Sequence, residues 1–253
     1  MKLKKKIKAG IPVLGTWNTS YSQIISSAIA CSGVDFQIID FEHGPCNFEK
    51  LHTLVSSAHQ HNSELLVRVP ALEPWMSQQA LDQGADGIVF SSIHCAQDAK
   101  KAKDMCLYPP QGTRGFSPYT PSNQFNSIPS NDFTKNANKS KVCVFIVESL
   151  EGISNLESIL ATKPDVVYFG AYDLSKELGI PGQTSHPELI KIITKASKIV
   201  TSSNIMPGSF VPHTIKSINF CIRNKLNFIT YSIDTFILTS SLRSAANALI
   251  PNK

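Results

Sequence analysis

The chain has 253 residues, of which 42% are hydrophobic and 17% charged, a composition that can bury a sizeable core and excludes intrinsic disorder. No stretch approaches the roughly 18 consecutive apolar residues of a membrane-spanning helix, which excludes an integral helical membrane protein. The formal charge of +5 is matched by five lysines at one end, Lys2, Lys4, Lys5, Lys6 and Lys8, so the rest of the chain is near neutral and a poor nucleic-acid surface. Behind this basic tip (residues 1–8), Ile11-Pro12-Val13-Leu14 is too short for the apolar region of a signal peptide. The six cysteines, at 31, 46, 95, 106, 143 and 221, form no Cys-x-x-Cys pair, and scattered thiols predict a reducing, cytoplasmic setting.

In chain order, short apolar runs alternate with longer amphipathic ones. The runs Val13–Trp17, Phe36–Asp40, Leu65–Val69, Gly87–Phe90, Val142–Glu148, Val166–Gly170, Ile205–Phe210 and Phe228–Ser232 read as strands. Between and after them, helices are predicted over Tyr21–Cys31, Phe48–Gln60, Pro74–Leu81, Ala96–Met105, Ile153–Leu160, Pro187–Ser203, His213–Asn224 and Thr235–Leu249. Asn47 before Phe48 and Pro187 at a first helical position are start signals. Eight strand–helix units in about 250 residues is the arithmetic of a (β/α)8 TIM barrel. A doubly wound open sheet alternates in the same way but normally has a glycine-rich turn after its first strand, where this chain has Asn18-Thr19-Ser20. The barrel is therefore preferred, as a single domain over 1–253. Residues 106–141, with Pro109, Pro110, Pro118, Pro121 and Pro129, read as a long proline-rich loop, a kind of connection that is usually functional, interfacial or mobile.

Active sites of such barrels are built where the strands end, so charged residues there are the ones to examine. The second strand runs into Asp40-Phe41-Glu42-His43, the third carries Arg68, the fifth ends at Glu148 and the sixth leads to Asp173. Each has an ordinary alternative: His43 as a loop histidine bonded to backbone, Arg68 as a structural ion pair, Asp173 as the cap of a short helix. Glu148 is harder to set aside. It shares a strand face with Val144 and Ile146 and so points into the barrel or its mouth, where a carboxylate requires a cation, either Arg68 or a metal. Two carboxylates, an arginine and a histidine at neighbouring strand ends suit a hard divalent cation such as Mg²⁺ or Mn²⁺ beside an anion clamp and a base, the equipment for stabilising an enolate. His52, His59 and His61 read as solvent-exposed. The turns Gly208–Pro212 and Tyr231–Asp234 are not glycine-rich, which argues against a phosphorylated-sugar isomerase.

The ordered strings IIDFEHGP (38–45), LLVRVP (65–70), ALDQGADGIV (80–89), YPPQGTRGF (108–116), YFGAYDLS (168–175) and PGQTSHPE (181–188), with Gly15-Thr16-Trp17, the Glu148 strand and Asp234, carry a resemblance. The sequence resembles the class II, metal-dependent pyruvate aldolases of the HpcH/HpaI family over most of its length. The resemblance implies a phosphoenolpyruvate/pyruvate-binding type of barrel. Glu148 and Asp173 would bind the divalent metal (Mg²⁺ first, with Mn²⁺ or Co²⁺ as alternatives), and Arg68 would stabilise the enolate and substrate carbonyl. His43 would serve acid/base chemistry, oriented by Asp40 and by Asp82 from a neighbouring subunit. Backbone N–H groups at Tyr172 and Asp173 would hold the substrate carboxylate, with Phe210 near the substrate. It also implies dimers assembled into hexamers through an exchanged C-terminal helix, here Thr235–Leu249.

The activity so implied is cleavage or formation of 4-hydroxy-2-oxo acids through a pyruvate enolate, with release of pyruvate and an aldehyde. Oxaloacetate decarboxylation, or another enolate-forming reaction on the same scaffold, is the enzymatic alternative, and a 2-oxo-acid-binding protein without turnover the non-enzymatic one. Departures from the family pattern lie at Ile146, where glutamine is usual, at Ala171-Tyr172, at Ser91-Ser92 and at Phe210. They predict a reshaped pocket.

Overall fold

A computed structural model describes residues 1–70 and 72–249. Eight parallel strands close into a barrel in chain order: β1 (Val13–Asn18), β2 (Phe36–Asp40), β3 (Glu64–Val69), β4 (Gly87–Phe90), β5 (Val142–Val147), β6 (Val166–Phe169), β7 (Met206–Val211) and β8 (Phe228–Ile233), with β8 pairing back onto β1. The fold is the predicted (β/α)8 barrel. Around it lie α1 (Leu3–Lys8), α2 (Gln23–Cys31), α3 (Phe48–His59), α4 (Pro74–Asp82), α5 (Ala96–Cys106), α6 (Ser130–Ser140), α7 (Leu150–Ser154), α8 (Leu156–Leu160), α9 (Ala171–Glu177), α10 (Pro187–Ser202), α11 (Ile215–Arg223) and α12 (Asp234–Ala248).

The alternation along each strand separates two cores. Val142, Val144 and Ile146 of β5 belong to the cluster inside the barrel, while Cys143, Phe145 and Val147 belong to the one beneath the helices. The interior is filled by pairing large residues with small ones. Phe36 and Phe228 stack across the barrel at 4.3 Å, and their register partners are Gly15 and Gly208. A methyl group at Gly15 would lie 2.4 Å from the Phe36 ring, so nothing larger than hydrogen fits there.

The basic tip is a structural plug. Its residues form α1, whose Leu3 and Ile7, four apart on one helix face, are buried in the interior cluster at the N-terminal mouth of the barrel. There the acids Asp35, Asp86 and Asp165, each immediately before an even-numbered strand, accept the N–H of Leu14, Leu65 and Cys143, all at 2.9 Å. Lys6 pairs with Asp35 and Lys4 with Asp165 at 3.0 Å, so part of the positive end neutralises that acidic ring. At the opposite mouth, the Asp234 carboxylate accepts the N–H groups of Thr19 and Ser20 (both 3.0 Å) and of Thr235 (2.8 Å), latching the end of β8 to the loop after β1.

Three sequence readings change. Residues 106–141 are not an open loop: a 3₁₀ turn, Pro121–Asn123, and α6 occupy much of the segment. Only Phe133 and Ala137 of α6 are buried, too few apolar positions to mark it in so polar a stretch. The helix expected over Ile153–Leu160 starts earlier and divides into α7 and α8 at Asn155, whose side-chain amide donates to the His94 carbonyl. The short helix allowed for after Asp173 is present as α9, but it begins at Ala171, so Asp173 lies in its first turn and does not cap it. His59 is exposed, as read from the sequence, and its Nε2 lies 2.7 Å from Asp86 Oδ2; the hydrogen bond raises the imidazole above its ordinary value. The last four residues of the range 1–253 lie outside the described residues.

Ile7→Ala should lower stability by about 2 kcal/mol, the cost of hollowing a buried aliphatic site. A urea melt with an unchanged slope and a lower midpoint is the expected result.

Candidate active site

The C-terminal mouth of the barrel holds a cavity of about 520 Å³. Asp40, His43, Arg68, Glu148, Tyr172, Asp173 and Phe210 all line it, so seven of the eight residues singled out in the sequence converge on one space. Asp82 does not. At the end of α4 its carboxylate takes Nη2 of the buried Arg114 at 2.6 Å, and that guanidinium lies 4.4 Å above the Tyr108 ring. A role for Asp82 in this chain's own cavity is thereby removed, and only the expected contribution to a neighbour's site is left for it.

Parallel register places Asp40 of β2 beside Arg68 of β3. Arg68 donates from Nε to Oδ1 (2.8 Å) and from Nη2 to Oδ2 (2.6 Å) of Asp40, a bidentate fork, and Nη1 lies 2.8 Å from Glu42 Oε2. Burial alone would raise the Asp40 carboxyl, but the Arg68 bonds and charge, with the N–H groups of Glu42 and His43, hold it below its ordinary value. The sequence reading that Asp40 orients His43 is corrected in detail: the contact is to the His43 backbone N–H at 3.3 Å, and among the described residues no hydrogen bond reaches its ring. Beneath the guanidinium lies the Trp17 ring, 4.4 Å from Cζ. The indole N–H donates to Thr230 Oγ1 at 3.0 Å, and Tyr168 shares that hydroxyl at 2.6 Å. Arg68 is thus held from two sides and from below.

Glu148 follows β5 and faces the cavity with Ile146, as period 2 predicts. Its Oε1 accepts the N–H (2.8 Å) and hydroxyl (3.1 Å) of Ser92, a residue at φ 56°. Gly170 permits the neighbouring strand to approach: a Cβ there would lie 2.5 Å from Glu148 Cβ. Asp173, in the first turn of α9, pairs with Lys176 through Oδ1 at 2.7 Å. Burial pushes the Glu148 carboxyl up, and the like charges of Glu42 and Asp173 push the same way, against the Ser92 hydrogen bonds. Among the described residues no lysine or arginine forms an ion pair with Glu148; Arg68 is bound to the other two acids. Among the described residues Glu148 Oε2 and Asp173 Oδ2 take no hydrogen bond or ion pair, and the two residues line the same cavity.

That donor set fits a hard divalent cation. Two carboxylate oxygens, one of them partly buried and lacking a counter-ion, leave most of an octahedron for water and substrate oxygens. Among the described residues no group of three or more His, Cys, Asp or Glu is arranged around a common point.

The sequence did not single out Glu42, Ser92, Tyr168 or Thr230. Glu42 lay in the quoted strand-end string, and Ser92 was noted only as a departure. Tyr168 and Thr230 sit on inward positions of two strands where apolar residues suffice for packing, so a polar pair there was the available signal.

The model of the HpcH/HpaI aldolase/citrate lyase family matches residues 14–240. The chain belongs to that family. The 4-hydroxy-2-oxo-heptane-1,7-dioate aldolase of Salmonella dublin is 29% identical over 245 residues, 96% of this chain and 92% of that protein. Among solved structures, an HpcH/HpaI aldolase from Desulfitobacterium hafniense DCB-2 superposes with a TM-score of 0.93 at 28% identity, covering 100% of this chain and 98% of the other. A family member from Burkholderia cenocepacia J2315 gives 0.91 at 27%, with 98% of each chain covered.

The Arg68–Asp40 pair makes stability depend on pH. Because the Asp40 carboxyl is depressed in the fold, its contribution is present above the ordinary carboxylate value and is lost as the pH falls through the lowered folded value. Asp40→Asn should cost about 3 kcal/mol at pH 7 and leave a shallower loss on acidification, measured by urea unfolding at pH 7 and pH 3.

Proposed function

We propose that the protein is a divalent-metal-dependent carbon–carbon lyase, of the aldehyde-lyase type, that cleaves or forms 4-hydroxy-2-oxo acids, with pyruvate as one product. The observation that carries this reading is Glu148: a partly buried carboxylate with no protein cation, lining with Asp173 a cavity whose arginine is held by two other acids. Glu148 and Asp173 would hold the cation, with Mg²⁺ the first choice. When bound, it supplies Lewis acidity to the ketone of the 2-oxo acid.

The chain's own groups supply the rest. A guanidinium has five N–H donors; Arg68 commits two to Asp40 and pairs with Glu42 through Nη1, and its remaining N–H groups would meet the oxygen on which charge develops. The N–H groups of Tyr172 and Asp173, in the first turn of α9 and without acceptors inside that helix, would bind the substrate carboxylate. His43 would take the proton of the C4 hydroxyl. The C3–C4 bond then breaks, its electrons pass into the pyruvate enolate and the aldehyde leaves; a proton returned to C3 gives pyruvate, and synthesis is the reverse. No lysine is among the described residues lining the cavity, which supports a route without a Schiff base.

The reading extends to assembly. The barrel with its flanking helices would be the whole catalytic unit, one domain over 1–253. In α12, Phe236, Leu238 and Leu242 are exposed, and Ile215 and Ile222 of α11 are exposed as well. These faces support an exchanged C-terminal helix and a homo-oligomer of dimers forming a hexamer, in which Asp82 would reach a neighbour's site. Six free cysteines, among described residues in which no helix is long and apolar enough to cross a membrane, support a cytoplasmic location.

Following pyruvate release from a panel of 4-hydroxy-2-oxo acids and from oxaloacetate, with Mg²⁺ or Mn²⁺, tests the activity. Release from the hydroxy acids is expected, and release from oxaloacetate alone would make the protein a decarboxylase instead. Glu148→Ala should abolish Mn²⁺ binding by calorimetry. Arg68→Ala should retain it and lower kcat by about 10²–10³-fold. Borohydride with pyruvate should not inactivate the enzyme; a trapped lysine adduct would overturn the mechanism.

A further inference from the structure

The cavity lining is chemically mixed. Asp40, Arg68, Glu148 and Asp173 are its charged groups; Trp17 lies under Arg68, Tyr168 bonds to the Thr230 hydroxyl that also takes the Trp17 N–H, and Ile146 shares a strand face with Glu148, which leaves Tyr172, Phe210 and Ile233 as its apolar wall. Tyr172, from the first turn of α9, and Phe210, from the end of β7, meet edge to face with centroids 5.6 Å apart at 63°. Ile146 is 1% exposed and offers no hydrogen bond from its side chain. Arg68 is the single lysine or arginine among the described residues lining the cavity, and its charge is already met by Asp40 and Glu42. Lys176 lines an adjoining recess of about 210 Å³ that shares His43, Glu148 and Asp173 with the cavity, and its ammonium is bound to Asp173.

A substrate whose 2-oxo acid meets the charged groups has the Tyr172–Phe210 pair as an apolar surface for its other half. A second carboxylate there would lose water without gaining a cation, whereas an aryl or alkyl group would cover Tyr172 and Phe210. We infer that the aldehyde partner is uncharged and apolar, an aromatic aldehyde above all, with Phe210 and Tyr172 setting the preference. This rests on the aldolase reading and goes beyond it, since the relative from Salmonella dublin is named for a dioate, a substrate with a carboxylate at each end. In the synthetic direction a proton leaves the pyruvate methyl group and C3 bonds to the aldehyde carbon. The aldehyde oxygen then takes up a proton as the new hydroxyl.

The test compares benzaldehyde, pentanal and 4-oxobutanoate as partners of pyruvate, using the full chain with Mn²⁺. The expected result is a kcat/KM at least tenfold higher for benzaldehyde than for 4-oxobutanoate, with pentanal between them. Phe210→Arg, which puts a cation on the apolar wall, should shift the benzaldehyde to 4-oxobutanoate ratio at least tenfold toward the carboxylate. Exchange of the pyruvate methyl protons into D₂O, followed by NMR on the wild type, separates the two levels. Exchange together with an equal or better rate for 4-oxobutanoate overturns this inference and leaves the aldolase reading standing. An unchanged ratio in Phe210→Arg overturns the part assigned to that wall. Absence of both exchange and condensation with every aldehyde overturns the aldolase reading and the inference with it.

Discussion

Competition among acids for one guanidinium organises the mouth of this barrel. Asp40 takes Arg68 in a bidentate fork and Glu42 pairs with its Nη1, which leaves Glu148 as a partly buried carboxylate close enough to sense that charge and bonded only to Ser92. Withdrawing an ionised carboxylate from water without a counter-ion is costly, so the folded chain carries an electrostatic deficit at one defined place. A divalent cation would cancel it, and the same event would complete the site. Stability and chemistry are thus coupled through a single side chain.

The opposite end of the barrel solves its electrostatics internally. Asp35, Asp86 and Asp165 cap strand N–H groups and are met by Lys6, His59 and Lys4. The two faces therefore differ in a way that fits the general division of such barrels, in which one end serves stability and the other chemistry. The formal charge of the chain says little about ligands, because lysines of the basic tip are engaged in closing the floor.

Much of the architecture was legible because it is local. Each strand is a short apolar run, and Asn47 caps α3 through its side chain as the sequence indicates. Period 2 along Val144, Ile146 and Glu148 placed the carboxylate on the cavity side without any knowledge of the barrel. What was not legible depends on partners distant in sequence. That Arg68 chooses Asp40 follows from the register of β2 against β3, and that Ser92 braces Glu148 follows from where β4 ends beside β5. α6 was hidden because two buried side chains in eleven residues leave almost no periodic signal. α1 was read only as charge, since a run of lysines masks the Leu3/Ile7 pair that seats it.

The Asp234 latch has a bearing on how the chain reaches its native state. It ties a segment near residue 20 to one near residue 234, and β8 completes the ring against β1 at the same time. A contact between such remote points forms only after nearly everything between them has been synthesised, and its large loop-closure entropy slows it further. A nascent chain stalled before β8 would present two unpaired strand edges, those of β1 and β7, each able to capture a neighbour's strand. During biosynthesis the emergence of β8 and of Asp234 behind it is therefore the step that closes both edges.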